Sequence, residues 1–133
     1  MKAHVPTVLV VQSDYTLRRA IESVLASSGN YKVVATSNPD VAYDLLSSDA
    51  PDAVLLDLDL PTMSGAALYL AMIHLRPELQ GRIAILTNDV EAEHLRRWLD
   101  VNSCPVLRKP FPFDVVASWL RTAMRAKDQQ ATG

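Results

Sequence analysis

Short apolar runs and helical apolar repeats alternate along most of this chain of 133 residues. Residues 8–11 (Val8-Leu9-Val10-Val11) form an unbroken apolar run of strand length. Beyond it Leu17, Ala20, Ile21, Val24 and Leu25 recur at i, i+3, i+4, i+7 and i+8, the spacing of one helix face. Ser13 or Asp14 is placed to cap that helix by accepting backbone N–H bonds, and Gly29-Asn30 to stop it in a left-handed turn. Residues 32–35 read as a second strand. Asn38-Pro39 then supplies a cap and a first-turn proline for a helix carrying Val41, Leu45 and Leu46. Residues 53–56 are a third strand, followed by a helix marked by Leu68, Ala71, Met72 and Leu75 and ended by Pro77. A fourth strand spans 82–86 and precedes a helix with Ala92, Leu95 and Leu99, with Trp98 beside them. The short fifth strand, 105–107, leads to the strongest stripe: Val116, Trp119, Leu120, Ala123 and Met124.

Five continuous apolar strands alternating with five helices predict a sheet covered on both faces, with parallel neighbours: an open, doubly wound α/β domain. In such sheets the working site lies beyond the carboxyl ends of the strands, where the strand order reverses. The chain is long enough for one core and too short for two. The domain is expected over residues 1–126, with 127–133 as a polar, linker-like tail.

Composition narrows the function classes. Thirteen Lys and Arg against fifteen Asp and Glu give a net charge of −2, without the basic excess of a domain that holds nucleic-acid phosphates. Direct nucleic-acid binding is not expected. The single Cys104 has no disulfide partner within the chain, and His4, His74 and His94 show no ligand spacing with it, which argues against structural zinc. No run is long enough to cross a bilayer, the first apolar run lacks a signal-peptide cleavage site, and a reducing cytoplasm fits best.

The chemistry is concentrated just after the strands: Gln12-Ser13-Asp14 after the first, Asp57-Leu58-Asp59 after the third, Thr87-Asn88-Asp89 after the fourth and Lys109-Pro110 after the fifth. A carboxylate, a hydroxyl and an ammonium on one rim suit phosphoryl transfer. The carboxylate attacks, the other two stabilise charge on the equatorial oxygens, and a second carboxylate helps hold a metal.

Residues 8–11, Leu17-Arg18-Arg19, the stretch from Pro51 to Gly65 with its Leu-Leu-Asp-x-x-x-Pro-x-x-x-Gly pattern, Ile85-Leu86-Thr87 and Lys109-Pro110-Phe111 together resemble the receiver domain of bacterial two-component response regulators, over roughly residues 7–126. The resemblance implies a flavodoxin-like strand order of 2-1-3-4-5. It also implies Asp57 as phosphoacceptor, Thr87 as switch hydroxyl, Lys109 as a contact of the phosphoryl group, and a cis bond before Pro110. The implied partners are a histidine kinase or phosphotransfer protein, and the implied dimer surface is the face made by the fourth helix, fifth strand and fifth helix. The chain then reads as a stand-alone, non-enzymatic signalling protein.

Departures from the family pattern bear on the metal. The family places two acidic residues after the first strand to hold Mg²⁺, and Gln12 and Ser13 stand there instead. A unit charge pair at ~4 Å contributes about 4 kcal/mol at an effective dielectric near 20, before desolvation. Losing ~3 kcal/mol weakens binding about a hundredfold. The metal site, with Asp57 and Asp59 as its acidic ligands, is therefore expected to be weak or absent; Asp14 reads as a helix cap rather than a replacement ligand. Asn88 follows Thr87 where a small residue is usual, and Val106 takes the place of an aromatic whose rotation reports phosphorylation. Two other functions are weighed: a pseudo-receiver that binds proteins without phosphorylation, and a phosphatase of the haloacid dehalogenase type, which Asp57-Leu58-Asp59 also resembles. Against the phosphatase stand Pro61, the two strand–helix units before the motif, and the lack of an acidic pair after Lys109.

Overall fold

A computed structural model describes residues 5–48, 50–60, 65–87, 93–102, 105–109 and 112–132, and for 93–96 and 126–132 the backbone alone. The strands are β1 (Thr7–Val11), β2 (Lys32–Thr36), β3 (Ala53–Asp57), β4 (Ile83–Thr87) and β5 (Val106–Arg108). The helices are α1 (Tyr15–Ser27), α2 (Pro39–Ser48), α3 (Gly65–Leu75), α4 (Glu93–Asn102) and α5 (Phe113–Thr132). All strand pairs are parallel, as the alternation of runs and stripes predicts, and the sheet order is β2-β1-β3-β4-β5, the order the family resemblance implies.

The apolar strand runs divide between two cores because successive side chains point to opposite faces. Val8, Val10, Ala53, Leu55, Ala84, Leu86 and Leu107 pack with Ile21 and Leu25 of α1 and Val116 and Leu120 of α5. Leu9, Val11, Val54, Leu56, Ile83 and Ile85 pack on the other face with Ala42 and Leu46 of α2, Leu68 and Met72 of α3 and Leu99 of α4. Both tryptophans are partly buried packing residues: Trp119 joins the first core, and Trp98 the second, edge-on to Tyr69 at 5.3 Å between centroids. Val106 is likewise packed against the second core.

Several local expectations change. Val24 and Val41, assigned to the apolar stripes, are exposed. In each helix the buried positions (Ile21 and Leu25, Ala42 and Leu46) define an arc that leaves its flanks to solvent, Val41 lying about 100° from Ala42. A single 3₁₀ turn, Pro77–Leu79, follows α3 and buries Leu79. The stretch 127–132 is not linker-like: α5 continues through Thr132. Lys, Gln and Ala are compatible with a helix, and no glycine or proline interrupts the sequence before Gly133. Arg82 is buried at the edge of β4 remote from the site. Its guanidinium donates to the carbonyls of Asp52 and Glu78, a staple that no periodicity signals.

Candidate phosphoryl-transfer site at the carboxyl rim of the sheet

β1 is the branch point of the sheet, pairing with β2 on one side and β3 on the other, so a crevice opens beyond the ends of β1 and β3. Asp57 closes β3 there, with no exposed surface. The register carries the rest of the site to it: Asp57 lies opposite Leu86, and Thr87, last in β4 and fully buried, lies opposite Arg108. The next residue, Lys109, is fixed by its own N–H donating to the Thr87 carbonyl at 2.9 Å. Its ammonium then reaches Asp57 Oδ1 at 2.8 Å, joining residues 52 apart in sequence, and Asp59 Oδ2 at 3.5 Å.

Four donors converge on the Asp57 carboxylate. Lys109 Nζ and the Asp59 N–H (2.9 Å) donate to Oδ1; the Ser13 hydroxyl (2.9 Å) and the Ser13 N–H (3.4 Å) donate to Oδ2. This compensates a charge that burial alone makes costly. Ser13 is therefore a direct neighbour of Asp57, and the cap of α1 is Asp14, whose side chain accepts from the Leu17 N–H. The structure thus brings Asp57, Asp59, Lys109 and Ser13 into contact and seats Thr87 beside them through the Lys109 backbone.

Gln12 is buried in the same turn and faces differently. Its Oε1 accepts from the Asp14 N–H at 3.0 Å, while its Nε2 has no hydrogen-bond partner among the described residues. Arg18, noted in sequence only as part of a motif, donates to the Gln12 carbonyl and stacks over the exposed Tyr15 ring, 5.3 Å from its centroid. It stiffens the turn that carries Gln12 and Ser13.

Gly65 opens α3 against this site. A Cβ there would lie 2.6 Å from Leu58 Cα and 2.7 Å from the Asp57 carbonyl oxygen, closer than any side chain tolerates. The glycine of the sequence pattern is thus a packing requirement of the loop that follows Asp57.

Whether these residues fit Mg²⁺ follows from the donors. A hard dication needs several oxygens, carboxylates above all. The Gln12 amide oxygen is engaged with Asp14, its amide nitrogen is no ligand, and the Ser13 hydroxyl is committed to Asp57. The two carboxylates already share the Lys109 ammonium. No group of three or more acidic, histidine or cysteine side chains is assembled among the described residues. The set does not match what Mg²⁺ requires. Asn88, Asp89, Pro110 with its expected cis bond, Pro61 and Cys104 lie outside the described residues.

The sequence model of the response regulator receiver domain matches residues 8–121. Response regulator MprA of Mycolicibacterium vanbaalenii is 29% identical over 118 residues, covering 89% of this chain and 50% of that protein. Transcriptional regulatory protein KdpE of Mycobacterium tuberculosis is 30% identical over 118 residues, with the same coverage. The chain thus spans about half the length of these relatives. Among solved structures, a CheY-like receiver domain protein from Methanospirillum hungatei superposes with a TM-score of 0.81 at 17% identity, over 98% of this chain and all of that one. Vibrio cholerae chemotaxis protein CheY4 gives 0.79 at 20% identity, over 90% and 99% of the two chains. The parallel 2-1-3-4-5 sheet, the acid–lysine pair at its rim and the family match over residues 8–121 agree: this chain belongs to the response regulator receiver domains of two-component signalling.

Proposed function

We propose that this receiver accepts a phosphoryl group on Asp57 from a histidine kinase or phosphotransfer protein, and does so with little help from Mg²⁺. The observation that carries the reading is the Asp57–Lys109 contact at 2.8 Å, held by the register of three neighbouring strands beside the buried Thr87. An Asp57 carboxylate oxygen attacks phosphorus and the phosphorus–nitrogen bond to the donor imidazole breaks. The imidazole nitrogen leaves with the electron pair and takes up a proton, and Asp57 becomes an acyl phosphate. The Lys109 ammonium and the Thr87 hydroxyl then face the phosphoryl oxygens, where preformed donors stabilise developing charge. Receiver domains generally bind Mg²⁺ at the phosphorylation site. Here Gln12 and Ser13 leave that contribution small, so the lysine and the hydroxyls carry most of the charge stabilisation.

Output then runs through protein contacts, for which a homodimer across α4, β5 and α5 is the proposed arrangement; Val101 and Val115 are exposed on those helices. A second reading, a pseudo-receiver that binds partners unmodified, is favoured by the saturation of both Asp57 oxygens by internal donors. Intact mass after incubation with acetyl phosphate, and separately with a phosphorylated histidine phosphotransfer protein, decides between them. The expected result is a gain of one phosphoryl group that Asp57→Asn abolishes and that changes less than threefold between chelator and millimolar Mg²⁺. No gain from either donor assigns the chain to the pseudo-receivers.

A further inference from the structure

We propose that the groove between α2 and α3 is a docking site for a basic amphipathic helix of a protein partner. The groove encloses about 540 Å³, and its walls include Asp40, Tyr43 and Asp44 of α2 and Ala67, Leu68 and Ala71 of α3. It exists because of what α3 lacks. Ala67 and Ala71, one turn apart, present only methyl groups toward α2, while the larger Leu68 and Met72 turn into the core. Apolar surface continues beside it: Leu70, three residues from Ala67, is 48% exposed, and Tyr43 is also exposed.

Charge specifies the occupant. Asp40 and Asp44 stand one turn apart on α2, and neither carboxylate forms an ion pair among the described residues. Like charges at this spacing repel and weaken the helix that carries them. A guanidinium or ammonium laid between them relieves that repulsion, and the Tyr43 ring offers it a π face. An apolar floor with an acidic, aromatic wall is the complement of a helix that places Arg or Lys one turn from an aliphatic anchor, which is the helix-in-groove mode of recognition. The groove lies on the face of the sheet away from α1 and α5.

The test is a displayed library of helical peptides selected against the full chain, with affinities of the winners measured on variants. Ala71→Phe fills the groove. Asp40→Asn with Asp44→Asn removes the charge isosterically from exposed positions, and so remains informative if the bulky substitution disturbs folding. Circular dichroism and thermal melting establish that each variant is folded. The expected winners carry Arg or Lys three or four residues from Leu, Met or Phe, and bind the two variants at least tenfold more weakly than the wild type. Enrichment of acidic or neutral peptides, affinities that neither variant moves, or a library that enriches nothing overturns the proposal. So does sedimentation showing that the wild-type chain self-associates through this groove and that Ala71→Phe abolishes it, which makes a second copy the occupant.

Discussion

Replacing Lys109 by Met keeps the length of the side chain and strands the Asp57 carboxylate, so it measures how much the buried pair stabilises the fold. At 2.8 Å, with Asp57 fully buried and the Lys109 side chain 12% exposed, the Coulomb term is about 6 kcal/mol at an effective dielectric near 20. Desolvation of both groups offsets part of it. Removing one member of a buried pair costs about 3–5 kcal/mol, because the remaining charge is uncompensated. The Ser13 hydroxyl and the Asp59 N–H still donate to Asp57, which places Lys109→Met near the lower end, about 3 kcal/mol. Asp57→Asn leaves Lys109 near Asp59 and solvent, and is expected to cost about 1–2 kcal/mol. The double variant should then fall short of the summed costs by about 2 kcal/mol. Urea unfolding followed by circular dichroism gives all four corners of the cycle. A cost for Lys109→Met below about 1 kcal/mol, or a coupling indistinguishable from zero, refutes the buried-pair argument.

Other substitutions probe the parts that hold the site. Gly65→Ala should destabilise the fold by about 1–3 kcal/mol in urea unfolding, although alanine favours helix by about 1 kcal/mol, because its Cβ meets the Leu58 and Asp57 backbone at 2.6 and 2.7 Å; a stabilised variant contradicts that contact. Restoring acidic residues with Gln12→Glu and Ser13→Asp should tighten Mg²⁺ binding about a hundredfold, as ~3 kcal/mol of recovered charge interaction requires. Titration calorimetry that finds less than a threefold change sinks the explanation by neutral ligands. Asp14→Ala removes the α1 cap at Leu17 and should cost about 1 kcal/mol in thermal melting, a loss that Asp14→Ser largely restores.

The strands were legible in the sequence because burial on both faces removes the polar alternation, so each prints as a continuous run such as residues 53–56. The helix faces were legible less fully. A stripe of apolar residues marks a direction and not its width, and Val24 and Val41 fell outside the buried arc. The end of α5 was obscured for another reason: a polar helix end and a linker share the same composition. That Asp57, Thr87 and Lys109 share one rim was legible because each directly follows or ends a strand of a parallel sheet, while the roles proposed for them come from the family resemblance.

Local periodicity determined the class of fold and the rim on which the chemistry sits, since both follow from which residues each segment must bury. The partners of each polar group were a matter for the tertiary structure. Ser13 and Asp14 are adjacent and chemically similar as caps, and only the position of Asp57 sends the Ser13 hydroxyl to a carboxylate 44 residues away while Asp14 caps α1. Likewise only the folded turn directs the Gln12 amide oxygen to the Asp14 N–H, and Lys109 reads as one charge until it bridges two carboxylates. Apolar burial is a property of each residue and repeats with the backbone, whereas hydrogen bonds and ion pairs are directional and short-ranged. They are decided by the register that brings distant strand ends together.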